Sequence, residues 1–303
     1  MTEFTAFQRK IADLLTNIEL RFNEPMSNHT SFRIGGPAEV MAFPKTAAEL
    51  SAVLKTSALL DTKPAILGAG TNVLAPDEGI PGLVICLKDA LNGMERTGEN
   101  TVRVMAGVTM TRAAVFAANL GLSGLEFAHG IPGTVGGGVY MNAGAYGGEI
   151  KDVCESVEVM DCEGNIRCLT AEEMGFSYRH SILEDTGDIV IAAKFRLIHA
   201  PEEQIKAKMK ELMGKRSASQ PLDLPSAGSA FKRPVGGYAA ALIDQAGLKG
   251  FAVGGAAISI KHAGFAVNLG GATAKDVRGL LTQVSDIVFE KSGIRLEPEV
   301  RIW

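Results

Sequence analysis

An α+β protein of more than one domain is what this sequence predicts, and three observations predict it. Helix starts with hydroxyl caps alternate with short apolar strands, glycine gathers in two dense loops, and a charged, proline-bounded stretch breaks the chain near residue 200. At 303 residues the chain exceeds what one ordinary hydrophobic core supports, so two or three domains are expected. A hydrophobic share of 46% with 21% charged residues is that of a globular chain able to bury such cores.

In chain order, Phe4, Phe7, Ile11, Leu14, Leu15 and Ile18 recur at helical spacing among charged neighbours. They predict an amphipathic helix docked on the body of the protein, neither a secretory signal nor a membrane anchor. Capping-box patterns begin at Thr46, Thr170 and Thr273, with Glu49, Glu173 and Asp276 at the reciprocal position, and each predicts a helix start. Strands are expected at 38–43, 64–67, 83–87 and 102–106, with a helix over 47–59 between the first two. A hairpin pairs 157–160 with 166–169 across the polar turn 161–165, and another strand covers 189–197. Beyond it come a charged helix at 201–215, an extended stretch at 220–225, a helix at 238–245, strands at 256–260 and 264–268, and a long helix at 274–291. The break places a domain boundary near residue 200.

Charge and cysteine usage exclude several classes. The formal net charge is −4 with both signs interspersed, which argues against a nucleic-acid partner because no basic stripe is present. Cys86, Cys154, Cys162 and Cys168 form no CxxC pair and no Cys/His spacing for zinc, so free thiols in a reducing compartment and no metal are expected. No apolar run approaches the ~20 residues of a membrane helix. A soluble, cytoplasmic protein without membrane insertion is the expectation.

The 35 glycines are neither periodic nor massed in one tract. Leu67-Gly68-Ala69-Gly70-Thr71-Asn72 follows a short strand, and its backbone can curl to present N–H groups to an anion. Val73 stands where a Rossmann fingerprint needs its third glycine, and no Gly-Lys-Ser/Thr ends a P-loop. A plain strand-to-turn connector explains this loop equally well. The second loop, Gly130-Ile131-Pro132-Gly133-Thr134-Val135-Gly136-Gly137-Gly138, runs on to Asn142-Ala143-Gly144-Ala145-Tyr146. So many positions without Cβ atoms let a flat, bulky ligand lie against main chain, and a dinucleotide is the natural candidate.

The chain resembles the UDP-N-acetylenolpyruvoylglucosamine reductase family from Asn28 to the C-terminus. The resemblance is carried by Asn28-His29-Thr30-Ser31-Phe32-Arg33-Ile34-Gly35-Gly36, both glycine loops, Tyr178-Arg179-His180-Ser181, Gly228-Ser229-Ala230-Phe231-Lys232-Arg233-Pro234 and Leu296-Glu297-Pro298-Glu299-Val300-Arg301. It implies a two-subdomain FAD-binding fold of the vanillyl-alcohol-oxidase kind, over 1–85 and 86–199, and a C-terminal α+β substrate-binding domain over 200–303. It also implies non-covalent FAD, with no attachment at His129, NADPH as hydride donor, an enolpyruvyl ether of a UDP-amino sugar as substrate, and a monomer. Because the chain ends soon after Glu299, it resembles the shorter subtype.

The resemblance implies FAD contacts from Arg33, Leu67, Gly68, Ala69, Gly70, Thr71, Asn72, Ile131, Pro132, Gly133, Thr134, Gly137, Gly138, Asn142 and Gly144. Arg179, Ser229 and Glu299 are the implied catalytic group. Reduction of the vinyl ether builds negative charge toward the substrate carboxylate, which a two-point guanidinium grip from Arg179 suits. Ser229 is the candidate proton donor, a weak acid matched to a strongly basic enolate. Glu299 either assists as a protonated acid or orients a neighbour. Tyr146, Tyr178, Arg216, Gln220, Lys232, Arg233, Lys261 and His262 are the expected sugar and diphosphate contacts. Arg233 stands where some relatives have Asn. Two rivals are a small-alcohol or lactone oxidase on the same fold and a non-catalytic nucleotide-sugar or flavin binder.

Overall fold

The structure, a computed structural model, describes residues 4–303. The chain folds into two units, each assembled from separated stretches: the first from residues up to 22, 40–69 and 82–215, the second from 23–39, 70–81 and 216–303. The expected boundary near residue 200 therefore falls inside the first unit, and the change comes at Lys215 and Arg216. Residues 23–39 and 70–81 belong to the second unit although they lie within the first expected segment. The physical reason is burial, because Phe32, Ile34 and Leu74 join the second unit's core.

The first unit opens with helix α1 (Ala6–Leu14), where Thr5 and Gln8 form a full capping box. Ile11 and Leu15 are buried, while Phe4 and Leu14 are exposed, so the docked face is narrower than the periodicity implies. Helix α2 spans Ala47–Leu59 as expected, with Thr46 accepting from the Glu49 N–H. The Glu49 carboxylate accepts from Lys45 N rather than from Thr46, so this box is only half closed. Strand Ala65–Leu67 pairs in parallel with Val84, Ile85 and Cys86.

A five-stranded antiparallel sheet follows, in the order Ile166–Thr170, Cys154–Met160, Ile189–Arg196, Thr101–Met105, Met94–Arg96. The expected hairpin is its edge, with Met160 opposite Ile166. Helices α3 (Met110–Asn119) and α4 (Val135–Tyr140) pack on it with Val102, Val104, Val157 and Phe195 as shared core. At Thr170 both reciprocal capping bonds form, but only a turn results. Gly175 takes φ +54 one turn later and redirects the chain before a helix can propagate. The short helix α5 (Leu183–Thr186) and the long α6 (Glu202–Ser219) complete the helices that begin in this unit.

The second unit has its own antiparallel sheet, in the order Ser226–Ser229, Phe265–Asn268, Ala256–Ile258, Ala252–Val253. Helices α7 (Ala239–Gln245) and α8 (Ala274–Ser292) cover it with Ile243, Val277, Leu280, Leu281 and Val284. The early stretches are sewn in by polar bonds. Asp77 accepts from Ala274 N at 2.7 Å and Lys275 N at 3.0 Å, Asn268 Nδ2 donates to Phe32 O at 3.0 Å, and Arg301–Ile302 pairs in parallel with Val73–Leu74. Among the described residues no helix is long and apolar enough to cross a membrane, and no cluster of potential metal ligands occurs.

Candidate active site

In the first unit the two glycine loops meet. A Cβ built on Gly68 would lie 2.9 Å from Thr134 Oγ1, so only glycine admits this approach. Thr134 caps α4 through Gly137 N and is itself buried. The N–H groups of Gly130, Ile131, Val135, Gly136, Gly137 and Gly138 all have protein acceptors. Those of Gly68, Ala69, Gly133 and Thr134 have none among the described residues. Four donors thus remain at one junction, a backbone array of the kind that can accept an anion. His129 Nδ1, at the head of the second loop, is likewise buried without a partner among the described residues. An orphaned buried polar atom of this kind fits a polar ligand.

Other glycines of these loops serve packing. A Cβ on Gly138 would meet Met110 Sδ at 2.6 Å, one on Gly144 would meet Glu149 Cβ at 2.7 Å, and one on Gly70, in the second unit, would meet His29 O at 2.0 Å. Gly137 is open except toward Thr134. Leu67 is buried, so its side chain serves the core, while Ile131 is half-buried and Pro132 exposed.

Arg179 sits in a tight turn in the first unit, closed by Ser177 N donating to His180 O at 3.1 Å and His180 N to Ser177 O at 3.3 Å. Its φ is +55, an uncommon value for a side-chain-bearing residue. The guanidinium Nη2 donates to Gly144 O at 3.3 Å and stands 5.1 Å from the Tyr178 ring centroid. Tyr146 and Gly147, with φ +54 and +89, form the two-residue tip of the hairpin that pairs Gly144 with Glu149. Asn142 is buried, and its amide is occupied by Glu149, Ser177 and Lys151. Nothing in the sequence spacing marks Glu149 or Ser177 as members of this group.

In the second unit Ser229 ends its strand after a register shift at Gly228, whose φ is +78. Such a bulge re-aims the next side chain. Ser229 is exposed, and its hydroxyl has no protein partner among the described residues. Glu299 N donates to Ala230 O at 3.0 Å, Phe231 faces Pro298, and Asn72 Nδ2 donates to Glu299 O at 3.3 Å. The backbone therefore brings Ser229, Glu299 and Asn72 together, although they are far apart in sequence.

The candidate cations of this unit have protein partners of their own. Lys232 N donates to Glu297 O at 2.8 Å, and Arg233 lies over the Tyr238 ring at 4.4 Å. Arg216 is buried and donates to Gln220 Oε1 at 3.3 Å. Lys261 Nζ donates to Ser217 O, and burial holds the His262 imidazole below its ordinary pKa, with Nδ1 accepting from Gly264 N. Arg33 is exposed at φ +56, and Thr71 is half-buried. All four cysteines are free, and burial pushes the Cys154 thiol up to about 12, so it is no thiolate nucleophile.

The two units, each with its own sheet and core, are the build of a two-part protein, and residues 38–170 match the FAD binding domain family. Residues 220–303 match the UDP-N-acetylenolpyruvoylglucosamine reductase C-terminal domain. A UDP-N-acetylenolpyruvoylglucosamine reductase of Agathobacter rectalis is 44% identical over 98% of each chain, and that of Caldanaerobacter subterraneus is 46% identical over 97% of this chain and 96% of its own. The crystal structure of the Thermus caldophilus enzyme superposes with a TM-score of 0.77 at 38% identity, over 95% of this chain and 99% of that one. The chain belongs to the UDP-N-acetylenolpyruvoylglucosamine reductase family.

Proposed function

We propose that the protein reduces the enolpyruvyl group of UDP-N-acetylglucosamine enolpyruvate to give UDP-N-acetylmuramate for peptidoglycan precursor synthesis, with FAD bound non-covalently and NADPH as donor. The observation that carries the reading is the Gly68–Thr134 junction with its four unfilled N–H donors. Its chemistry suits the FAD diphosphate, and Gly137 leaves room beside it. Family membership supports the substrate. Cytoplasmic location, a monomeric state and a part in cell shape and division belong to the same proposal.

Bound FAD supplies the two-electron store between NADPH and the vinyl carbon. Arg179 grips the substrate carboxylate and stabilises the charge that gathers there. Ser229, whose hydroxyl has no protein partner among the described residues, gives its proton to the enolate carbon. Glu299, fixed by its backbone to Ala230, orients that end of the substrate or supplies a hydrogen bond. Lys232 and Arg233 neutralise the substrate diphosphate. Arg216, Gln220, Lys261, His262, Tyr146 and Tyr178 shape the sugar and nucleotide contacts.

An anaerobic visible spectrum tests the reading. The purified protein shows a flavin band that bleaches with NADPH and returns on addition of the enolpyruvyl substrate. A flavin that NADPH leaves oxidised favours an oxidase on the same fold, and a protein that takes up no FAD overturns the assignment.

A further inference from the structure

Asn142 was placed by resemblance among the FAD contacts, yet its side chain has nothing left to offer a ligand. It is 0% exposed. Nδ2 donates both its hydrogens, to Glu149 Oε2 at 2.7 Å and Ser177 O at 2.9 Å, and Oδ1 accepts from Lys151 N at 3.0 Å. Glu149 is itself held, because its Oε1 pairs with Lys151 Nζ at 2.6 Å. From this geometry we infer that Asn142 is a positioning residue for Arg179.

The Ser177 carbonyl that Asn142 holds is the first group of the Arg179 turn, where it also accepts from His180 N. The Arg179 guanidinium reaches Gly144 O, and Gly144 is paired with Glu149 across the hairpin. The turn is thus fastened to the hairpin both by Arg179 itself and through Asn142. This second bond restrains a turn whose arginine carries the unfavourable φ of +55. Only an amide suits the position: Asp would set a second carboxylate against Glu149 and would give Ser177 O no donor. Asn also tolerates the φ of +42 that Asn142 adopts.

This inference rests on the reading of Arg179 as the group that binds the substrate carboxylate. Its test is a double-mutant cycle of Asn142→Ala and Arg179→Ala, measured anaerobically as two half-reactions. Asn142→Ala alone keeps its flavin and bleaches with NADPH at the native rate, while reoxidation by the enolpyruvyl substrate slows roughly 10- to 100-fold. In the Arg179→Ala background the same change adds less than about twofold, as expected for groups acting as one. Amide hydrogen exchange speeds at residues 177–180 and stays unchanged at residues 130–138. Losses that multiply in both backgrounds, or slowed bleaching, overturn the positioning role while leaving that of Arg179 intact. If Arg179→Ala alone reoxidises at the native rate, the reading of Arg179 falls, and this inference with it. Should Asn142→Ala lose its fold, Glu149→Gln weakens the same clamp from its other end and carries the same comparison.

Discussion

Arg179 occupies backbone that an asparagine would hold with less strain. A left-handed conformation costs a residue with a Cβ about 1–2 kcal/mol, and Asn is among the side chains that tolerate it. Arg179→Asn is therefore expected to leave stability within about 0.5 kcal/mol of native, or to raise it. Reoxidation of the flavin by substrate should fall by at least ~100-fold, because the charge at the carboxylate is lost. Chemical denaturation and single-turnover kinetics on one preparation check both halves. At this scale the sequence displays residue type and little of residue company. Ser229 and Glu299 were legible as candidates through the motifs around them, but the backbone bond from Glu299 to Ala230 was not. Asn142 was legible as an asparagine among glycines, while its partners Glu149 and Ser177 lie 7 and 35 residues away. The glycines divide in the same manner. Gly68 approaches Thr134 at the proposed ligand junction, whereas Gly138 makes room for Met110.

Among the elements, helices with strong end signals were read nearly to the residue. Thr46 and Thr273 cap α2 and α8 at their expected starts, and Gly293 at φ +72 ends α8. Helix α4 gave no such signal. It contains Gly136, Gly137 and Gly138, residues of poor intrinsic helix propensity, and it is held by packing against Met110 and Ala106 that only the fold supplies. The strand Glu19–Pro25 has only Leu20 and Phe22 as apolar residues on its half-buried face, too short an alternation to announce it. Helix α8 has two caps at one end, its own Thr273–Asp276 box and Asp77 from a distant stretch, which takes the N–H groups of Ala274 and Lys275. Asp77→Ala leaves the box in place but removes both long-range acceptors. A loss of about 1–2 kcal/mol is expected, with Asp77→Asn losing less because an amide oxygen still accepts. Urea unfolding midpoints for the two variants check the order. Equal midpoints for native and Asp77→Ala would show that solvent replaces Asp77 at no cost.

Over the whole molecule the α+β character and the presence of more than one core were legible from length, capping and strand spacing. The membership of each core was not, because Phe32, Ile34 and Leu74 carry no sign in sequence of which helices they meet. A ligand held by the Gly68–Thr134 junction binds the folded chain and not the unfolded one. FAD at about one hundred times its Kd is thus expected to add about 2.7 kcal/mol to the stability of the apoprotein. Thermal melts of FAD-stripped protein across a series of FAD concentrations check this, with Tm rising steadily. A Tm indifferent to FAD would count against the junction as its seat.

The parallel pairing of Arg301–Ile302 with Val73–Leu74 has a consequence during synthesis. Val73 is made long before Arg301 exists, and at roughly 5–20 residues per second the wait is about ten to forty-five seconds. Leu74, wholly buried in the finished protein, spends that interval without its last strand partner. Loss of residues 301–303 removes the strand for which that early segment has been waiting.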